Sequence, residues 1–342
     1  MSFLMTHKRS VLLAFAMFFV GVFLLFGFWY YLVSPTHERV EGRVFLVEAG
    51  SSLKQVASEL EARGIIRSKE FFLLWARVAG GSRNIKAGEY QLNTNMSPLS
   101  VFDILRKGRI ITHAVTIPEG FTRKQIAETL ALKGIVSKKE FLRFTADRDV
   151  VKSYGISAHT LEGYLYPDTY HFSRNLPPKA IVEVMVKRFW EAFEPFRERA
   201  TELGKDLEEV VTLASIVEKE TGLADERPLI ASVFLNRLRK GIRLASDPTV
   251  IYGISEFNGN LTRTDLMART PYNTYVIKGL PPGPIANPGT ASIRAVLYPA
   301  ETDYLYFVSK NDGSHYFSKT LSEHNRAVRK YQRSRRRSNA GS

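Results

Sequence analysis

From Val11 to Val33 the chain is apolar or aromatic and carries no charged residue. At about 1.5 Å per residue a helix of this length crosses about 30 Å of hydrocarbon with slight tilt, so one membrane span is predicted. It ends in Trp29, Tyr30 and Tyr31, which suit a membrane interface, and not in the small residues of a signal-peptidase site. Lys8 and Arg9 precede it and Arg39 and Arg43 follow, a thin asymmetry. The simplest topology keeps the short N-terminus inside and translocates everything after residue 34.

Beyond the span the periodicity shortens, and the chain from Val44 to Leu73 is repeated without gaps at an offset of 70 residues, from Ala114 on. Gly50 aligns with Gly120, Lys54-Gln55 with Lys124-Gln125, Gly64-Ile65 with Gly134-Ile135, and Lys69-Glu70-Phe71 with Lys139-Glu140-Phe141. Each copy predicts a short strand (VFLV, AVTI) and a turn at glycine. A helix follows on Val56, Ala57 and Leu60 or on Ile126, Ala127 and Leu130, closed at Gly64 or Gly134, and a second helix begins near Ser68 or Ser137. Two copies are too few for a solenoid, so the pattern is a duplicated βαα module used for packing or binding. GEYQL and SVFDILRKGR add a strand and a helix between the copies. Further on, LEGYLYPDTYHF concentrates aromatic rings, which fit a core or the faces of sugars equally well. Ala180 to Leu203 reads as one amphipathic helix and Leu207 to Thr221 as another. Short strands are expected at Tyr304–Ser309 and 315–317, and the whole is a mixed α+β chain.

On a helical projection of LEEVVTLASIVEKETG, Val210, Val211, Leu213, Ala214, Ile216 and Val217 form a broad apolar arc. Glu218 and Glu220 fall inside it on opposite flanks. A carboxyl turned toward a core holds its proton more tightly, which is how a glutamic acid becomes a donor near neutral pH; a helix end in water is the competing reading for each. Periodicity does not choose between them. A second helix follows, with Asp225 as N-cap, Pro228 in its first turn and Gly241 closing it. Asp247, before Pro248, reads as a cap or turn residue. PYNTYVIKGLPPGPIANPG is a rigid, irregular loop.

The net charge of +14 would suggest nucleic acid, but its distribution argues otherwise. Lys8 and Arg9 contribute two charges, and Arg326, Arg329, Lys330, Arg333, Arg335, Arg336 and Arg337 contribute seven in a tail without acids. The remaining +5 demands no nucleic acid, while the tail fits anionic lipid, acidic glycan, a protein partner or simple solvation. With no cysteine, disulfides, thiol nucleophiles and cysteine-held metals are excluded. The histidines are scattered and no nucleotide-binding glycine motif opens a helix, so neither metal nor cofactor is expected. Ser51 to Lys54 matches S-x-x-K, but the companion motifs of that acylation chemistry are missing.

The segments ASIVEKET (214–221), SVFLNRL (232–238), SDPTVIYG (246–253), YNTY with GLPPGPIANPG (272–289), LYFVSKNDGSHYFSKTLSEHN (305–325) and EGYLYPDTY occur in one order and spacing. In these the chain resembles the endolytic murein transglycosylase family, the MltG or YceG-like proteins. The resemblance implies a LysM-like α/β module over 44–110 that contacts peptidoglycan and a catalytic domain over 111–325. Residues 1–10 would be cytoplasmic, 11–33 the inner-membrane span, 34–43 a linker and 326–342 a basic tail. It implies Glu218 as the catalytic residue. Polar residues of the same segments, Glu220, Asn236, Asp247, Thr249, Tyr252, Tyr272, Asn273, Thr274, Tyr275 and Asn287, are the candidate substrate contacts, and those of the 272–289 loop could equally serve only their own loop's backbone. The implied partners are periplasmic peptidoglycan glycan strands, membrane lipid and peptidoglycan synthases. The implied reaction cleaves the bond between N-acetylmuramic acid and N-acetylglucosamine and leaves a 1,6-anhydro end, terminating nascent strands. Its nucleophile belongs to the substrate, so no second carboxylate has to activate water. Two rivals stand beside it: a hydrolase pairing Glu218 with Asp247 or Glu220, and a silent scaffold that grips glycan.

Overall fold

The computed structural model describes residues 2–36, 42–48, 50–80 and 85–333. Contacts divide the chain into two units, Met1–Thr112 and His113–Ser342.

The first unit opens with α1 (Ser2–Val33). Among the described residues its stretch Phe15–Val33 is the one helix long and apolar enough to cross a membrane, and none of that stretch is buried in the protein. Then come β1 (Gly42–Val47), α2 (Leu53–Ala62), α3 (Lys69–Val78), β2 (Gly88–Asn93) and α4 (Pro98–Lys107). β1 and β2 pair antiparallel from Gly42↔Asn93 to Val47↔Gly88. The alternate residues Phe45 and Val47 face Val56, Leu60, Phe72, Leu92 and Phe102 in a core of their own.

The second unit begins with the other copy of the repeat: β3 (His113–Thr116), α5 (Arg123–Leu132) and α6 (Lys138–Phe144). At the first helix its capping chemistry is the same as in the first copy, whereas at the second Ser68 accepts from the Phe71 N–H and Ser137 makes no such bond. Ser52 and Thr122 each accept from the backbone N–H three residues on, and Gln55 and Gln125 return a bond to the cap backbone. Each helix ends in a Schellman turn: Gly64 N–H donates to Glu61 O at 2.9 Å and Ile65 N–H to Leu60 O at 2.9 Å, repeated as Gly134 to Ala131 at 2.9 Å and Ile135 to Leu130 at 3.0 Å. The turn needs positive φ, and Gly64 and Gly134 sit at +67° and +69°. A Cβ at Gly134 would meet only the Arg174 side chain, nearest at 3.8 Å, so Gly134→Ala pays backbone strain alone. The expected loss is about 1–2 kcal/mol, read by denaturant unfolding.

The duplication extends beyond what the sequence offset shows. β4 (Thr169–Phe172) pairs antiparallel with β3, as β2 does with β1. The offset is lost because α7 (Arg148–Ser153) and the LEGYLYP segment are inserted between α6 and β4. The aromatic rings of that segment belong to the core: Tyr164 is 1 % exposed and meets Phe189 edge-on at 5.1 Å.

The single helix expected over 180–203 is instead α8 (Pro178–Phe193), a 3-10 turn (Glu194–Phe196) and α9 (Arg197–Glu202). Pro195 has no N–H to give and its ring crowds the carbonyl one turn back, so the helix stops there. Next come α10 (Leu207–Glu220), α11 (Arg227–Arg239), α12 (Asp247–Gly253), α13 (Arg263–Met267) and α14 (Thr290–Leu297). Asp225 lies in the 3-10 turn Ala224–Glu226, and Glu226, not Asp225, takes the N-cap position of α11. α10 is the central element. Its apolar arc is fully buried, and α11, α12 and α14 pack around it. The unit closes with the hairpin β5 (Tyr306–Ser309) and β6 (His315–Ser318), then α15 (Leu321–Val328) and a π turn, Arg329–Arg333. The expected tail is therefore helical through Arg333; Arg335, Arg336 and Arg337 lie outside the described residues.

Candidate active site

The last turn of α10 presents its two glutamates to different surroundings. Glu218, the expected acid, is only 5 % exposed in its side chain. Its Oε1 receives Arg227 Nη2 at 3.1 Å, and its Oε2 receives Ser292 Oγ at 2.7 Å and the Gly289 N–H at 3.1 Å. Arg227 also reaches Glu119 at 3.5 Å, and the Lys219 ammonium donates to Gly120 O at 3.3 Å. Burial, with the charge of Glu218 adding to it, pushes the Glu119 carboxyl above the usual range. These contacts tie the last turn of α10 to α11, to the head of α14 and, through Arg227, to Glu119.

Glu220 sits on the other flank, where it lines a cavity of about 490 Å³ with Asp247, Tyr275, Arg237, His315 and His324. Ser246 Oγ donates to it at 2.5 Å. Burial, helped by the negative charge of Asp247, raises its pKa from 4.5 to about 7. Tyr275 donates its hydroxyl to Asp247 at 2.6 Å. Asp247 is the first residue of α12 and Ser246 holds the N-cap position without a side-chain cap bond, so Asp247 does not fill the expected capping role. His315 is held by Glu226, which accepts its backbone N–H and its Nδ1, each at 2.7 Å. That carboxylate fixes the proton on Nδ1. The His324 ring stacks on Tyr306, with centroids 5.3 Å apart. Burial and Arg237 hold the His324 pKa below the ordinary value.

A third carboxyl, Glu162, is 3 % exposed. It accepts from Arg123 N–H at 2.7 Å, Tyr252 OH at 3.0 Å and Asn287 Nδ2 at 3.1 Å, and burial still raises its pKa to about 7. Asn287 also donates to Phe121 O at 2.8 Å and accepts from Gly163 and Leu165 N–H at 3.0 and 2.9 Å. One asparagine thereby joins the loop before α5, the EGYLYPD segment and the proline-rich loop. Gly163 has φ +91°, and a Cβ there would fall 2.6 Å from Pro284 and 2.8 Å from Val211, so only glycine permits this approach. Because the folded state raises the Glu162 pKa above its unfolded value, it binds the extra proton between pH 4.5 and about 7. The stabilisation is complete below pH 4.5 and lost as pH rises through about 7. Glu162→Gln is expected to flatten the fall in stability over that window, measured by denaturant unfolding at several pH values.

The ten expected substrate contacts divide by position. Glu220, Asp247 and Tyr275 come together on the 490 Å³ cavity. Tyr252, Tyr272 and Asn287 gather near Glu162, the two tyrosine rings 4.8 Å apart. The remaining four are buried and engaged internally. Asn236 donates to Thr302 O and Tyr304 O at 2.8 and 2.9 Å. Thr249 and Thr274 bond each other at 2.8 Å, and Asn273 caps the end of α13 through the Asp265, Leu266 and Ala268 carbonyls. These four, with Asn287, hold loops in place and have no free face for a sugar. Sequence reasoning did not single out Glu162, Arg227, Ser292, Glu226, His315 or His324. Glu162, His315 and His324 stand inside quoted motifs, but nothing in spacing shows that His315 and His324 meet the end of α10. No group of three or more His, Asp or Glu among the described residues could hold a metal ion.

Residues 45–330 match the model of the YceG-like family. The chain belongs to that family. Among its YceG-like relatives is a Bacillus subtilis protein called endolytic murein transglycosylase, 35% identical over 301 residues, with 83% of each chain covered. A Streptococcus pneumoniae protein of the same name is 27% identical over 361 residues, covering 94% of this chain and 65% of its own. The crystal structure of a YceG-like protein from Listeria monocytogenes aligns with TM-score 0.59 at 36% identity, over 84% of this chain and 98% of that one.

Proposed function

We propose that this YceG-like protein is an endolytic murein transglycosylase, a lyase acting on peptidoglycan, and that Glu218, the first glutamate of EKE, is its acid and base. What supports the assignment is membership of the family together with the placement of Glu218: a carboxyl at the end of α10, 5 % exposed, met by Arg227 of α11 and by Ser292 Oγ and the Gly289 N–H at the head of α14. Glu218, protonated in the substrate complex, donates to the glycosidic oxygen as the C1–O bond of the muramic residue breaks. The carboxylate so formed is held by Arg227, Ser292 and the Gly289 N–H, and it takes the proton from the C6 hydroxyl as that oxygen bonds to C1. The 1,6-anhydro product forms, and Glu218 returns to its protonated state without water entering.

Glu220 and Asp247 support a second reading, since they line one cavity on the other flank of α10: a hydrolase in which Glu218 is the acid and one of these two positions water. Digestion in 18O-labelled water separates them. Intramolecular attack leaves the new ends unlabelled and anhydro, whereas hydrolysis places one 18O at each reducing end.

α1 serves as an inner-membrane anchor with the N-terminus inside, a reading supported by its length and by Trp29 to Tyr31 at its end. Residues 44–110 serve as a LysM-like glycan contact; their separate core supports an independent module. Cleavage close to the membrane would end nascent strands, with peptidoglycan synthases as neighbours.

A further inference from the structure

We infer that α3 is a second membrane contact, lying in the headgroup layer beside the end of α1; this rests on the reading of α1 as a membrane span. Two observations within the first unit carry it. The first is the face of α3 turned away from its core. Phe72 and Ala76 are fully buried, whereas Leu74, Trp75 and Val78 are 59, 37 and 72 % exposed. At 100° per residue these three fall, with the half-buried Phe71, on one arc about 100° wide. An outward face of this kind needs an apolar partner.

The second observation ties that face to the membrane-exit end of α1. Arg67, two residues before α3, donates to Tyr31 O and to Pro35 O, each at 2.7 Å. Its guanidinium lies over the Tyr31 ring at 4.3 Å. Thr36 adds bonds to Gly64 O at 2.8 Å and Thr94 O at 3.0 Å, and α1 also touches α4. The start of α3 is therefore pinned where the span leaves the hydrocarbon, among Trp29, Tyr30 and Tyr31. A ten-residue helix is only about 15 Å long, so its apolar face stays within reach of the interface. A tryptophan among aliphatic side chains, with Arg77 about 60° beyond the arc, is the chemistry of an interfacial helix. The same clamp would hold the module upright over the bilayer instead of letting it swing on a tether.

The absence of cysteine makes the test direct. Full-length protein carrying Leu24→Cys, Leu74→Cys, Val78→Cys or Lys54→Cys is labelled with a small fluorophore. Each is placed in vesicles of phosphatidylethanolamine and phosphatidylglycerol containing lipid with a nitroxide at the headgroup or the acyl chain. All four sites are exposed, so the substitutions spare both cores. The labels at 74 and 78 are expected to be quenched by the lipid nitroxides several-fold more than the label at 54, with the headgroup nitroxide the stronger. Quenching at 24 but not at 74 and 78 would overturn the inference, whether water or another protein surface covers α3. Lack of quenching at 24 would instead show that α1 does not span, and the inference would fall with that reading.

Discussion

Glu218→Gln is expected to stop the release of soluble glycan fragments while the protein still folds and binds peptidoglycan. The amide keeps the size of the side chain and its oxygen can still accept from Ser292 or the Gly289 N–H, but it cannot give up and recover a proton at the glycosidic oxygen. General acid–base catalysis typically contributes about 10²- to 10⁴-fold, and the loss in kcat should lie in that range. Glu220→Gln should behave differently. It lies on the opposite flank of α10 and its amide can still meet Ser246 Oγ, so it retains most turnover. Parallel rate and melting measurements on the two variants separate a chemical role from a structural one.

The second large effect is expected at Arg227. Its side chain is 11 % exposed and faces the 5 % exposed Glu218, so Arg227→Met leaves a carboxylate inside the protein without its cation. Breaking a buried pair from one side costs about 3–5 kcal/mol, because the remaining charge has lost its solvation and its partner. For a unit of this size the melting temperature should fall by about 10 °C, at about 2–4 °C per kcal/mol. Removing both partners, as Glu218→Leu with Arg227→Met, should recover part of that loss, since no isolated charge is left. A double variant less stable than the sum of the single ones would show that the bonds to Ser292 and Gly289 dominate the junction instead. Thermal unfolding of the three variants measures this coupling directly.

The duplicated module was legible in the sequence because its determinants are local: capping residues three apart, apolar positions at helical spacing and a glycine at each left-handed turn. Its closing strand was not, since α7 and the LEGYLYP insertion displace β4 from the constant offset that exposes the repeat. The break at Pro195 was visible as a residue, but the apolar pattern on either side of it continued and masked the stop. At α10, helical projection put Glu218 and Glu220 on the two flanks of a buried arc, and both are indeed drawn in from solvent. What occupies each flank depends on residues 9 to 74 positions away in Glu218's case and 26 in that of Glu220. Arg227 and Ser292 on one side and Ser246 with the cavity on the other come from separate segments, so no local pattern tells the two flanks apart. For the same reason the buried Thr249, Asn273 and Thr274 passed for sugar contacts: their polarity is visible in the sequence, while the backbone groups that consume it are not.

Mass spectrometry of purified peptidoglycan digested by the parent protein, by Glu218→Gln and by Glu220→Gln tests the central claim most directly. The account predicts 1,6-anhydro-ended fragments from the parent and from Glu220→Gln, and none from a folded Glu218→Gln. Anhydro fragments from Glu218→Gln, together with their loss in a folded Glu220→Gln, would contradict it and move the acid to Glu220.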